Sequence, residues 1–235
     1  MPRPAARSKA SSALAASGRP VMNLVDLCLR LRVYVVIDPQ YCLADPITVC
    51  RDVLAGGATS VQLRHKHSPD RDTLVLAEAM RALTTADGAL FIVNDRLDLA
   101  LASGADGVHL GAGDLPLAAA RSIAGDGLVI GYSPETDEQA RVSAQLGASY
   151  LGVGPVYGTA SKADAGPAIG LETLIRRQAL SGLPVVGIGG IDAANARRVI
   201  ESGACGVAIM SAIIASPSPA GATRTIANEL SAGRI

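Results

Sequence analysis

Gly104-Ala105-Asp106-Gly107-Val108-His109-Leu110-Gly111 is the stretch that decides the fold. A glycine suited to closing a helix is followed at once by a short apolar run, and the run ends on polar residues and glycine. The same order returns at Gly57-Ala58-Thr59-Ser60-Val61, Gly147-Ala148-Ser149-Tyr150-Leu151 and Gly203-Ala204-Cys205-Gly206-Val207, so the repeated unit is helix, cap, strand. Outward from these junctions, apolar runs recur at Val33 to Ile37, Ser60 to Arg64, Leu90 to Asn94, Gly107 to Leu110, Val129 to Tyr132, Tyr150 to Gly154, Val185 to Ile188 and Gly206 to Met210. The runs are nearly continuous in Val, Ile and Leu instead of alternating with polar residues, as expected of parallel strands covered on both faces. Helix starts fall between them at Asp45-Pro46, Ser68-Pro69-Asp70 and Leu115-Pro116. Eight such units predict a closed (β/α)8 barrel over residues 22–235, one domain of the α/β class. A doubly wound open sheet fits less well, since no Gly-x-Gly-x-x-Gly follows the first strand.

Composition narrows the function. The chain has 235 residues, 49% of them hydrophobic, with 21 basic and 21 acidic side chains. A net charge of zero without a long basic run excludes the electrostatic footprint of a nucleic-acid partner. Positive charge with a function must be local, which suits a small phosphorylated ligand. No stretch reaches the length of apolar sequence that a membrane span needs. The four cysteines, Cys28, Cys42, Cys50 and Cys205, form no Cys-x-x-Cys pair, and are read as reduced thiols of a cytoplasmic protein. Residues 1–21 are rich in Ala, Ser, Arg and Pro, with no acid before Asp26, and read as a disordered extension; the same composition also fits a transit peptide.

Barrel chemistry gathers at the C-terminal ends of the strands. The second strand ends in Gln62-Leu63-Arg64-His65-Lys66-His67, where Gln62, Arg64 and Lys66 alternate toward the barrel mouth. An amide and two cations on one side suit an anion such as pyrophosphate, although strand-end polarity alone gives the same pattern. Asp95, after the third strand, and Asp114, after the fourth, can face each other and hold Mg2+ through carboxylate, water and phosphate oxygens; helix capping is the other reading of Asp95 and its neighbour Asp98. Gly187-Ile188-Gly189-Gly190-Ile191 and Met210-Ser211-Ala212-Ile213 have the form of a barrel phosphate site, with open backbone N–H groups beside a helix start. His109 reads as a barrel-lining or core residue and Tyr34 as packing.

Gln62-Leu63-Arg64-His65-Lys66, Phe91-Ile92-Val93-Asn94-Asp95-Arg96, Gly104 to Gly111 with Asp114, and Val153-Gly154-Pro155-Val156-Tyr157-Gly158-Thr159-Ala160-Ser161-Lys162 resemble, in order, the thiamine-phosphate synthase family. Val186 to Ile191 and Gly206 to Ile213 continue the likeness, which spans about residues 33 to 215. The resemblance implies an enzyme of thiamine biosynthesis, a Mg2+-dependent transferase that joins a pyrimidine-methyl pyrophosphate to a thiazole phosphate with release of pyrophosphate. It assigns Gln62, Arg64, Lys66, Asn94, Ser133 and Lys162 to the pyrimidine pyrophosphate, and Asp95 and Asp114 to Mg2+. It gives Thr159, Ser161, Gly190, Met210 and Ser211 to the thiazole phosphate, with Arg64, Lys66, Ser133 and Lys162 as the catalytic set. Three stretches depart from the family pattern: Gly111-Ala112-Gly113-Asp114 lacks an amide and an acid, Ser133-Pro134-Glu135-Thr136 carries Glu135 in place of a histidine, and Ser161 stands for a threonine. The rival readings are a thiazole tautomerase-like isomerase and a phosphate-binding barrel without catalysis. Arg64, Lys66, Asp95, Asp114 and Lys162 together favour the synthase.

Overall fold

A computed structural model describes residues 22–158 and 166–231. The strands are β1 (Val33–Ile37), β2 (Ser60–Leu63), β3 (Leu90–Asn94), β4 (Gly107–Gly111), β5 (Val129–Ser133), β6 (Tyr150–Val153), β7 (Val185–Ile188) and β8 (Gly206–Ile209). All neighbours pair in parallel, and β1 also pairs with β8, so the sheet closes in the order β1 to β8. The α/β barrel expected from the apolar runs is therefore present. The run expected to reach Arg64 ends one residue earlier, yet the Arg64 N–H still donates to the Ile37 carbonyl at 2.9 Å and keeps the arginine aligned with the ladder.

The helices are α1 (Leu24–Arg30), α2 (Pro46–Ala55), α3 (Asp70–Asp87), α4 (Leu97–Ala102), α5 (Leu117–Ala124), α6 (Asp137–Ser143), α7 (Gly170–Ser181), α8 (Ala196–Glu201), α9 (Ser211–Ile214) and α10 (Pro219–Ser231). Their starts obey local chemistry. Asp45 caps α2 by accepting the Thr48 N–H at 2.9 Å, with Pro46 in the first turn where its missing N–H costs nothing. Thr136 and Gln139 form a reciprocal capping box at the start of α6. At the four repeated junctions Gly57, Gly104, Gly147 and Gly203 have φ of 98°, 67°, 97° and 103°, a region costly for a side chain with Cβ.

Every residue of β1, β2, β6 and β8 is buried, since one face meets the barrel interior and the other the helices. The interior is filled at mid-height by Tyr34 and Tyr150, both essentially inaccessible to solvent. Gly131 and Gly152 leave room for them. A Cβ on Gly131 would run into His109 and Tyr150, and one on Gly152 would come within 2.8 Å of the His109 ring. Polar side chains can thus occupy the centre of an otherwise apolar barrel, and a cavity remains above them at the C-terminal ends of the strands. Among the described residues no helix is long and apolar enough to cross a membrane.

Candidate active site

The cavity at the barrel mouth has a volume of about 280 Å³. Its walls include Gln62, Arg64, Lys66, Asn94, Asp95, Asp114 and Ser133, seven residues expected at the site and contributed by β2 to β5 and the segments that follow them. Ala112, Gly113 and Glu135, at the departures from the family pattern, also line it. Gly190, Met210 and Ser211 lie at the ends of β7 and β8, as expected, but outside this cavity's lining. Gly190 packs against the segment after β6, where a Cβ would meet the Gly158 carbonyl at 2.5 Å and Tyr157 Cβ at 2.8 Å. Thr159, Ser161 and Lys162 lie outside the described residues, as do residues 1–21.

Neither cation of the lining stands alone. Arg64 donates through Nη1 to Asp38, whose side chain is only 4% exposed. Lys66 Nζ lies 3.0 Å from Asp95. Asp38 does not line the cavity itself but holds Arg64, which does, and the motif reading missed it. It is the first polar residue after β1, so the strand-end rule does reach it, but its partner Arg64 is 26 residues away. Asp95 is the one non-glycine residue with positive φ among the described residues, at 62°. Aspartate tolerates this region better than most side chains. The turn aims its carboxylate at Lys66 and at Asp114 instead of at the start of α4.

The Asp114 carboxylate accepts the Gly111 N–H at 2.7 Å and lies beside Asp95. Burial and the Asp95 charge hold the Asp114 pKa above the ordinary carboxylate range, against the Gly111 N–H, which favours ionisation. Two carboxylates side by side are a poor arrangement by themselves, and hard oxygen donors so placed fit a divalent cation. The pair foreseen across β3 and β4 therefore faces inward together. Charge balance points the same way: the described lining contains two cations, Arg64 and Lys66, and three carboxylates, Asp95, Asp114 and Glu135. That excess of negative charge would repel a pyrophosphate unless a cation offset it.

Beneath the cavity a chain of polar contacts crosses the barrel. Gln62 Nε2 donates to the Tyr34 hydroxyl at 2.8 Å, and the Tyr34 and Tyr150 hydroxyls are 3.0 Å apart. Tyr150 Oη lies 3.0 Å from His109 Nδ1, and His109 Nε2 lies 2.8 Å from Ser133 Oγ. Tyr34 accepts from Gln62. If Tyr34 passes its own proton to Tyr150 and Tyr150 donates to Nδ1, the His109 tautomer with its proton on Nε2 donates to Ser133, and the serine hydroxyl is left to donate into the cavity. Burial raises both tyrosine pKa values far above the ordinary phenol value, so both stay neutral donors.

Tyr34, expected as packing, is thus a linker as well, and Tyr150 was not singled out by any motif. Each looks in the sequence like a core aromatic, and only the closed barrel brings their hydroxyls together across 116 residues of chain. His109 lines the barrel as expected and has the further task of orienting Ser133. The segment after β5 is held from outside by Arg177, which is 7% exposed and donates to the Pro134 and Glu135 carbonyls at 2.7 and 2.6 Å. His65 steadies the segment that bears Lys66, through Ser68 at 2.5 Å and Thr73 at 3.0 Å.

Comparison with known proteins gives one consistent result. The sequence model of a family described as thiamine monophosphate synthase matches residues 33–213. The thiamine-phosphate synthase of Roseiflexus castenholzii is 48% identical over 180 residues, covering 77% of this chain and 79% of the relative. That of Moorella thermoacetica is 47% identical over 194 residues, covering 82% and 92%. A thiamine phosphate pyrophosphorylase from Pyrococcus furiosus superposes with a TM-score of 0.81 at 37% identity, over 88% of this chain and 98% of that one.

Proposed function

Because the chain belongs to the thiamine monophosphate synthase family, we propose that its barrel mouth holds the pyrimidine pyrophosphate beside a Mg2+ ion carried by Asp95 and Asp114. The activity is thiamine-phosphate synthesis. 4-Amino-2-methyl-5-(diphosphooxymethyl)pyrimidine condenses with 4-methyl-5-(2-phosphooxyethyl)thiazole to give thiamine phosphate and pyrophosphate, a transferase reaction.

One observation carries the reading of the site: the amide, the two cations, the serine and the carboxylate pair line a single cavity whose described charges are net negative. Two carboxylates suit Mg2+, which commonly takes one or two from the protein and the remainder of its ligands from water and substrate phosphates. When bound, the ion offsets charge on the pyrophosphate. Arg64 and Lys66 face the same leaving group, and a phosphate oxygen competes with Asp38 and Asp95 for them. Ser133 donates a hydrogen bond to it, directed by His109. The breaking C–O bond leaves its electron pair on pyrophosphate, and the thiazole nitrogen lone pair forms the new C–N bond to the pyrimidine methylene. No protein nucleophile takes part. The protein's contribution is placement, donors fixed before reaction, and shielding of the methylene cation from water. Gly190, Met210 and Ser211, at the neighbouring strand ends, hold the thiazole phosphate, and the family resemblance assigns Thr159 and Ser161 to the same phosphate and Lys162 to the pyrophosphate. Cytoplasmic synthesis fits this use of small phosphorylated substrates.

The test is the Mg2+ dependence of pyrophosphate release by Asp114→Asn. The half-saturating Mg2+ concentration rises by about 10- to 100-fold, a range typical of weakened metal sites. A variant with the original Mg2+ requirement would remove Asp114 from the metal site.

A further inference from the structure

Cys28 and Cys205 meet at the end of the barrel opposite the cavity. α1 leads through Leu31 and Arg32 directly into β1, and β1 pairs with β8 through Val33 and Val207. The chain before β1 therefore lies across the start of β8. Gly206 packs so closely there that a Cβ would strike the Leu31 carbonyl. Cys28 sits on α1 and Cys205 is the residue before β8, so strand pairing brings together two thiols remote in sequence. The two side chains face the same small cavity and are near enough for each thiol to shift the other's ionisation. Both are half-buried, and both line one shallow surface cavity with Leu24, Val25, Leu29 and Arg32. The catalytic reading makes no use of them.

We infer that Cys28 and Cys205 are a thiol pair which a small-molecule disulfide oxidises to an intramolecular disulfide, a reversible modification site at the closed end of the barrel. The Cys28 thiolate attacks one sulfur of the small disulfide, forming a mixed disulfide and releasing one small thiolate. Cys205 then gives up its proton to water and attacks the Cys28 sulfur, and the second small thiolate leaves. Two protein thiols lose two electrons and one disulfide molecule becomes two thiols. The order of attack follows from the environment. The neighbouring Cys205 thiol stabilises the Cys28 thiolate and lowers its pKa to about 7, whereas Cys28 and burial raise Cys205. The other thiols act as internal controls: burial, chiefly, pushes Cys42 up to about 11 and Cys50 up to about 12. A cross-link between α1 and the start of β8 closes a long loop and so restricts the unfolded chain.

The experiment equilibrates the full chain with mixtures of reduced and oxidised glutathione, blocks the remaining thiols, and maps peptides by mass. The account expects free thiols to fall from four to two, with one cross-linked species joining the Cys28 and Cys205 peptides. Tm rises by about 5–10 °C and returns with dithiothreitol. Cys205→Ser removes the resolving thiol and traps glutathione on Cys28. Glutathione remaining on Cys28 of the unaltered chain while Cys205 is still alkylated would overturn the inference. So would cross-linked dimers through Cys28, no loss of thiols, or an unchanged Tm rise in Cys205→Ser.

Discussion

Ser133 Oγ lies 2.8 Å from His109 Nε2, the outer link of a hydrogen-bonded chain that begins at Gln62 and passes through Tyr34 and Tyr150. Both ends of the chain line the cavity, so its middle should be felt by one substrate more than the other. Tyr34→Phe removes the hydroxyl that receives Gln62 and leaves both neighbours short of a partner. The expected cost is about 1–3 kcal/mol in denaturant unfolding. KM for the pyrimidine pyrophosphate rises while KM for the thiazole phosphate stays nearly unchanged. Equal rises in the two would separate the chain from the pyrimidine side.

Gly131→Ala tests whether the space around His109 is needed. The new methyl group would overlap the His109 ring and the hydroxyl of the fully buried Tyr150. Overpacking of this kind costs about 1–3 kcal/mol. Thermal unfolding should register the loss, and kcat/KM should fall with it. A variant as stable and active as the parent would show that His109 and Tyr150 are not held where the structure has them.

Asp38→Ala leaves Arg64 without its buried carboxylate, with the arginine side chain only 12% exposed. Removing one partner of a buried pair costs about 3–5 kcal/mol, and Asp38→Asn, which keeps an acceptor, should cost less. Addition of pyrophosphate with Mg2+ should recover part of the lost Tm, because a phosphate oxygen can replace the missing partner. No gain in Tm above that seen for the parent chain would place Arg64 outside the anion site.

Alkylation of Cys28 should follow its lowered pKa. Below about pH 7 the thiolate fraction, and with it the iodoacetamide rate, climbs roughly tenfold per pH unit; above that value it levels off. Peptide-resolved rates from pH 5 to 9 check this. A rate still climbing steeply at pH 9 would mark an ordinary thiol without help from Cys205.

The barrel is legible in the sequence because each unit carries its own signals, a glycine at the helix end and a run of Val, Ile and Leu, and both are local. Gln62, Arg64, Lys66, Asn94, Asp95, Asp114 and Ser133 are legible for the same reason, as polar residues where those runs stop. What is hidden depends on pairing between distant strands. Asp38 gains its meaning from Arg64, and Tyr34 from Tyr150, partners that only barrel closure supplies. The left-handed turn at Asp95 is hidden too, since an aspartate before a helix reads equally well as a cap.

The most direct measurement of the central claim is pyrophosphate release by the purified chain given the pyrimidine pyrophosphate and the thiazole phosphate, together and singly, with Mg2+ and then with a chelator. The account predicts release only when both substrates and Mg2+ are present, in step with thiamine phosphate formation. Release without the thiazole phosphate at the same rate, or none with both substrates and Mg2+, would contradict it.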